Sequence, residues 1–255
     1  MRIKYFLLLF LSSVLVLGFR MPEAAVALSI NDFEVIVPAE GLTEVDLKTG
    51  VCVYRGQPEK PVRVSVSSPA MQLTAATIIY DQGEQSLTAK QRVKLVQEEA
   101  GLEVTGERLV ITGEQVELPA GGRLVATTGH ASLVCSGTLR YREAEETVQV
   151  RGGFTLFYDD LSLNGQQLDG NLREGLFTAR GGLSFEHPEV AGEAERIEYD
   201  QTNQVITLIG SPQLRWAEGW LQGAQETVII YNFTTGKAKA EGPTKMRVSR
   251  ETVVN

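Results

Sequence analysis

Apolar and polar residues alternate with period two along most of this chain. The stretches "SLTAK" (86–90), "KLVQE" (94–98), "TVQVR" (147–151) and "LSLNG" (161–165) each place every second residue in an apolar phase. Successive side chains of a β-strand point to opposite faces, so the pattern predicts strands with one apolar and one wetted face. Helices are excluded on two grounds. The apolar spacing is two rather than three to four, and glycines recur at intervals too short for a helix to survive.

The alternation is itself repeated. In the segments Ile78–Leu95, Leu139–Leu156 and Ile197–Leu214 a tyrosine is followed by a polar turn and then by two apolar pairs. From Tyr80 the pairs are Leu87, Ala89 and Val93, Leu95. From Tyr141 they are Val148, Val150 and Phe154, Leu156; from Tyr199 they are Ile206, Leu208 and Pro212, Leu214. Weaker copies lie between these. Asp169–Phe185 carries Phe177, Ala179, Leu183 and Phe185, and Val110–Val125 carries Val116 and Leu118; Asp46–Val66 opens the series and Ile229–Val248 closes it.

The unit is therefore about thirty residues, present about seven times, and each copy needs its neighbours to bury its apolar face. A unit of that length with two corners suits a rung that visits two facing sheets, and seven stacked rungs give a cleft roughly 35 Å long. The predicted fold is all-β: a two-sheet solenoid with unpaired sheet edges at both ends, expected in Val45–Tyr54 and Thr227–Val248. The apolar phase makes its expected lining the residues named in the three tyrosine-led pairs (Pro212 excepted), together with Val53, Val104, Leu118, Leu133, Leu163, Phe177, Leu183, Phe185 and Trp216.

The N-terminus follows other rules. Arg2 and Lys4 precede the apolar run Tyr5–Gly18, and "AAVA" (24–27) offers the small residues of a signal-peptidase site, so residues 1–27 are expected to be a signal peptide and residues 28–255 one domain. Retention of the run as a membrane anchor is the alternative, although it is shorter than the ~20 residues of a span. Removal of 1–27 takes Arg2, Lys4, Arg20 and Glu23, and moves the net charge from −8 to −10. So acidic a chain is a poor partner for nucleic acid, whose phosphates call for clustered Lys and Arg.

The copies "AATIIYDQGEQSLTA" (75–89), "GTLRYREAEETVQVRGG" (137–153) and "AERIEYDQTNQVITLIG" (194–210) resemble the OstA-like, LptA-type family of lipopolysaccharide-transport proteins. Arg142 and Asn232 depart from the family's Tyr-Asp pair. The resemblance implies a V-shaped β-jelly-roll whose interior shields the acyl chains of lipid A, in an exported, periplasmic, non-enzymatic protein. It also implies partners: homologous domains of an inner-membrane tether and an outer-membrane assembly protein, joined by edge-strand pairing, with head-to-tail self-association as a further option. Three other readings stand beside it. They are a membrane-tethered relative of the same system, a polymerising β-solenoid with a closed core, and a polysaccharide-acting β-helix.

The enzyme reading needs a cluster of Asp, Arg or His on one face, and none is evident. His130 and His187 sit apart in turn contexts, and Asp159-Asp160 and Glu98-Glu99 read as solvated turn tips. No cofactor is expected, and no Cys/His set has metal-ligand spacing. Cys52 and Cys135 are expected to be free thiols, too far apart along the stack to bridge and opposite in phase. Trp216 and Trp220 are expected to cap the core. Basic contacts to a lipid headgroup would come from Arg92, Lys94, Arg173, Arg180, Arg215, Lys237 and Lys239.

Overall fold

The structure, a computed structural model, describes residues 33–248 apart from 68–69, 99–100, 114, 127–130, 143–144, 159 and 172. The expected signal peptide and His130, Asp159 and Glu99 lie outside the described residues. In chain order the strands begin with β1 (Phe33–Ile36), β2 (Leu42–Asp46), β3 (Val51–Arg55), β4 (Val62–Ser67), β5 (Ala70–Ala75), β6 (Thr77–Asp81) and β7 (Ser86–Gln97). There follow β8 (Leu102–Thr112), β9 (Gln115–Leu118), β10 (Gly122–Ala126), β11 (Ala131–Cys135), β12 (Thr138–Arg142), β13 (Thr147–Tyr158) and β14 (Leu161–Asn171). The last are β15 (Leu176–Glu186), β16 (Ala191–Asp200), β17 (Val205–Ile209), β18 (Gln213–Trp216), β19 (Gly219–Gly223), β20 (Val228–Asn232), β21 (Lys237–Glu241) and β22 (Thr244–Val248).

The pairings resolve into two walls. One wall runs β2-β3-β6-β7-β8-β9-β12-β13-β14-β15-β16-β17-β20-β21. The other runs β1-β4-β5-β7-β8-β10-β11-β13-β14-β15-β16-β18-β19-β22. The long strands β7, β8 and β13–β16 belong to both, and every ladder is antiparallel. Two facing sheets are as expected, and with every ladder antiparallel the stack is the jelly roll that the resemblance implies. Each repeat unit gives two strands to each wall, so the walls extend about twice the expected 35 Å at ~4.8 Å per strand.

A crease joins the walls where the long strands break register, between Lys90 and Val93, Arg151 and Phe154, and Arg180 and Leu183. Left-handed backbone marks these points: Gly152 and Gly153 at φ 90° and 99°, Gly181 and Gly182 at 90° and 62°. Glycine reaches such angles without a Cβ clash. The first long strand makes the same bend with Gln91 and Arg92, at φ 65° and 52°, accepting the cost of left-handed backbone in residues with side chains.

The Tyr-Asp pair of the repeat has two separate physical roles. The aspartate caps the hairpin turn that follows. Asp81 Oδ1 accepts the Glu84 N–H at 3.0 Å, Asp200 Oδ1 that of Asn203 at 3.0 Å, and Asp46 Oδ1 that of Lys48 at 2.8 Å. Asn171 and Asn232 do the same for Glu174 and Thr235. Asn232 is thus no departure from the pattern, because its amide oxygen accepts as a carboxylate does. The tyrosine belongs to the interior.

Candidate functional site

In the wall that holds the Tyr-Asp hairpins, the ladder pairings align the inward residues into rows that run across the strands. One row passes through Cys52, Tyr80 and Leu87, and further on through Tyr141, Val148, Gly170, Phe177, Tyr199, Ile206 and Tyr231. The recurring tyrosine is therefore one line of the inner face, near the hairpin end. A deeper row holds Tyr54, Ile78, Ala89 and, farther along, Leu139, Val150, Leu168, Ala179, Ile197, Leu208 and Ile229. The opposite wall answers with Val64, Leu73, Leu95, Val104, Leu124, Leu133, Leu156, Leu163 and Phe185. These inward residues form one continuous buried apolar cluster with partly buried neighbours packed against it.

Nineteen of the twenty predicted lining positions take the inward phase. Val53 does not. It pairs with Ile79, which faces Thr88, while its neighbours Cys52 and Tyr54 pair with Tyr80 and Ile78. Ile78 and Ala89 are buried, so Tyr54 lines the interior and Val53 lies on the outer face. A run of four apolar residues from Val51 to Tyr54 gives no alternation from which to choose a phase.

The same phase corrects the cysteines. Cys52 faces inward beside Tyr80, and buried Cys135 faces inward between Gly122 and Phe154. Both are free thiols, separated by position and not by face. Burial pushes the Cys135 thiol above its ordinary value, although its Sγ lies 3.6 Å from the Gly122 carbonyl. Trp216 shares the inward phase of Leu214, whereas Trp220, paired with Arg215 and Arg247, faces out.

Opposite the crease, the hairpin ends of the two walls form a mouth. At one end Phe33 of β1 meets Tyr80 of β6 across it, edge to face at 5.1 Å. Toward the other end the His187 ring meets Phe233 at 5.7 Å, and Phe233 also packs on Tyr199 and Tyr231. Burial first, then the Glu189 charge reaching across from the other wall, raise the Tyr231 hydroxyl above its usual value. Between these closures Leu156, Leu161, Leu163 and Phe177 remain only half-buried. Inside the first closure an apolar cavity of about 20 Å³ is lined by Phe33, Val66, Met71, Leu87 and Ile111 among others, room for about one water.

The basic residues are distributed differently from expectation. Arg92 and Lys94 lie at and beyond the crease, in ion pairs with Glu59 and Glu103, and Arg180 is exposed at a crease too. Arg215 pairs with Glu193 on an outer face, and Lys239 pairs with Glu241 on the terminal strand. Arg173 stands at a mouth hairpin, its charge held by Glu146 at 2.9 Å. Lys237 begins β21 at a mouth hairpin. Among the described residues no group of three or more His, Cys, Asp or Glu could hold a metal. No described helix is long and apolar enough to cross a membrane.

The end strands differ from expectation in detail. β3 and β20 have neighbours on both sides. Among the described residues the strands with one neighbour are β1 and β2 at one end, β21 and β22 at the other.

The family described as "LptA/(LptD N-terminal domain) LPS transport protein" matches residues 44–237. No curated protein matches the chain. Among solved structures, LptH of Pseudomonas aeruginosa, titled the LptA homologous periplasmic component of the lipopolysaccharide transport device, is 11% identical. It covers 71% of this chain and 95% of its own, with a TM-score of 0.24. The G-box domain of the microcephaly protein CPAP is also 11% identical, covering 80% of this chain and 99% of its own at a TM-score of 0.20.

Proposed function

This chain belongs to the LptA/LptD N-terminal domain family of lipopolysaccharide-transport proteins, and from that premise we propose that it is an exported, periplasmic, non-enzymatic carrier of lipopolysaccharide or a related envelope glycolipid. The acyl chains would lie between the two walls and the headgroup at the mouth. The observation that carries this reading is the predominantly apolar inner face: aliphatic and aromatic rows run from β3 to β20, and no charged residue is among the buried side chains of the described residues. Each methylene moved there from water gains ~0.8 kcal/mol. The half-buried Leu156, Leu161, Leu163 and Phe177 mark where chains would enter. The cavity near Phe33, about 20 Å³, is by itself too small for an acyl chain.

Edge strands β1 and β2 and edge strands β21 and β22 carry unpaired backbone groups suited to strand addition by homologous domains of an inner-membrane tether and an outer-membrane assembly protein. The tight packing of the interior is also what a closed structural core would give. Photo-crosslinkers separate the two. At Leu163 and Phe177 they should capture lipid in cells, and at the outward Lys90 and Ser162 they should not. Equal capture in both phases, or capture in neither, would sink the carrier reading.

A further inference from the structure

Besides tyrosine hydroxyls, two polar side chains are buried among the described residues, Gln97 and Thr227. In β7 the inward residues are Val93, Leu95 and then Gln97, which is 1% exposed. It sits opposite Leu102, itself buried, and beside the Gln72–Val96 pair that brings Met71 alongside. Its Oε1 has no hydrogen-bond partner among the described residues. Thr227, the other buried polar side chain, is fully engaged: its hydroxyl donates to the Pro243 carbonyl at 2.7 Å and accepts from the Ala224 N–H at 3.0 Å. An amide carbonyl buried without a donor destabilises the fold that holds it, so an unpaired one calls for an explanation beyond packing.

Position narrows what could satisfy it. Gln97 is the last residue of β7 and lies in the inward row nearest the hairpin end, the row that also holds Phe33, Val66 and Met71. A chain inserted through the mouth would pass this row with its first carbons, close to the headgroup, while its tail reached the crease. Hydrocarbon offers no donor, and an ester link offers none either. An amide link offers an N–H, and a hydroxyl near the head of the chain offers an O–H.

We infer that Gln97 is a specificity residue that accepts a hydrogen bond from an amide N–H or chain hydroxyl at the junction of acyl chain and headgroup. The protein would thereby favour amide-linked or hydroxylated acyl lipids over simple esters. This rests on the carrier reading above and adds a ligand feature to it. One neutral hydrogen bond made in a dry site corresponds to roughly a fivefold to tenfold preference.

The test uses the full exported chain and two synthetic lipids with the same sugar headgroup and chain length, one amide-linked and one ester-linked. Wild type should prefer the amide by roughly fivefold to tenfold. Gln97→Met, nearly equal in volume, should lose that preference by weakening the amide lipid alone. The lipid-free variant should melt no lower than wild type, since it removes an unpaired polar atom; Gln97→Leu serves as a second replacement if Met packs badly. Lack of preference in wild type, preference retained in both variants, or a lower melting point in both overturns the inference. If wild type binds neither lipid, the carrier reading fails and this inference falls with it.

Discussion

Phe33 and Tyr80, drawn from opposite walls, meet edge to face across the mouth with ring centroids 5.1 Å apart and planes at 76°. The contact joins the first strand of one wall to the third strand of the other. It is thus a latch between sheets that otherwise join along the crease. Removing the Phe33 ring should cost about 2–3 kcal/mol, combining lost burial of a half-buried side chain with lost ring pairing. A double-mutant cycle with Tyr80→Leu should give a coupling of about 0.5–1.5 kcal/mol. Additive losses in thermal unfolding would show that the rings do not act as a pair.

The phase of β3 makes a sharper stability prediction. Tyr54 lies on the inner face and Val53 on the outer, so Tyr54→Ala should destabilise by about 2 kcal/mol or more, and Val53→Thr by less than about 1 kcal/mol. Denaturant unfolding of the two variants checks the assignment, and the reverse order would restore Val53 to the interior.

Where the sequence alternates cleanly it fixes the face: Leu87 and Ala89, Val148 and Val150, Ile206 and Leu208 all point inward as the pattern requires. It is silent where apolar residues run together, as at Val51–Tyr54. It also cannot reveal that the units alternate walls at the crease, which is why Arg92 and Lys94 stand far from the mouth. Gln97 is illegible in the sequence for a related reason. A polar residue in an apolar phase reads as the end of a strand until its burial is seen.

The turn carboxylates give a pH dependence with a definite sign. Asp200 is held below its usual 3.8 chiefly by its side-chain and backbone hydrogen bonds from Asn203, and Asp46 by the backbone N–H of Lys48 and by Thr49. A depressed folded value means their contribution is present above pH 3.8 and is lost as pH falls through the lower folded value. Asn232, which caps its turn without titrating, should contribute at every pH. Protection of the Asn203 amide, taken relative to its intrinsic exchange rate at each pH, should therefore fall more on acidification than protection of Thr235. An equal fall would mean that the Asp caps add nothing.

The edges predict how copies would join. β2 and β22 are exposed along their lengths, and Met246 and Val248 present apolar side chains there at 63% and 57% exposure. If strands add at these edges, the mature protein should associate with increasing concentration. Backbone exchange in β1, β2, β21 and β22 should slow as it does, while central β14 stays unchanged. A protein that remains monomeric at high concentration would rule out self-extension and leave strand addition to heterologous partners.

Residues 28–255 carry a net charge of −10, and most of the basic residues that might meet a phosphorylated headgroup are committed elsewhere. Arg92 and Lys94 lie at or beyond the crease with glutamate partners, and Arg215 is paired with Glu193. Arg173 at the mouth is already neutralised by Glu146. Exposed charge contacts of this kind are worth little and are screened as the Debye length falls from ~10 Å at 0.1 M salt to ~3 Å at 1 M. Apolar burial is not screened. Affinity for lipid A should accordingly fall by no more than a few-fold between those salt concentrations, and Arg173→Ala should change it by less than about threefold, since an exposed pair contributes under ~1 kcal/mol. Titration of the purified protein with lipid A at the two ionic strengths is the measurement. Binding that vanished in high salt would place the affinity in the headgroup and remove the acyl-chain interior from the mechanism.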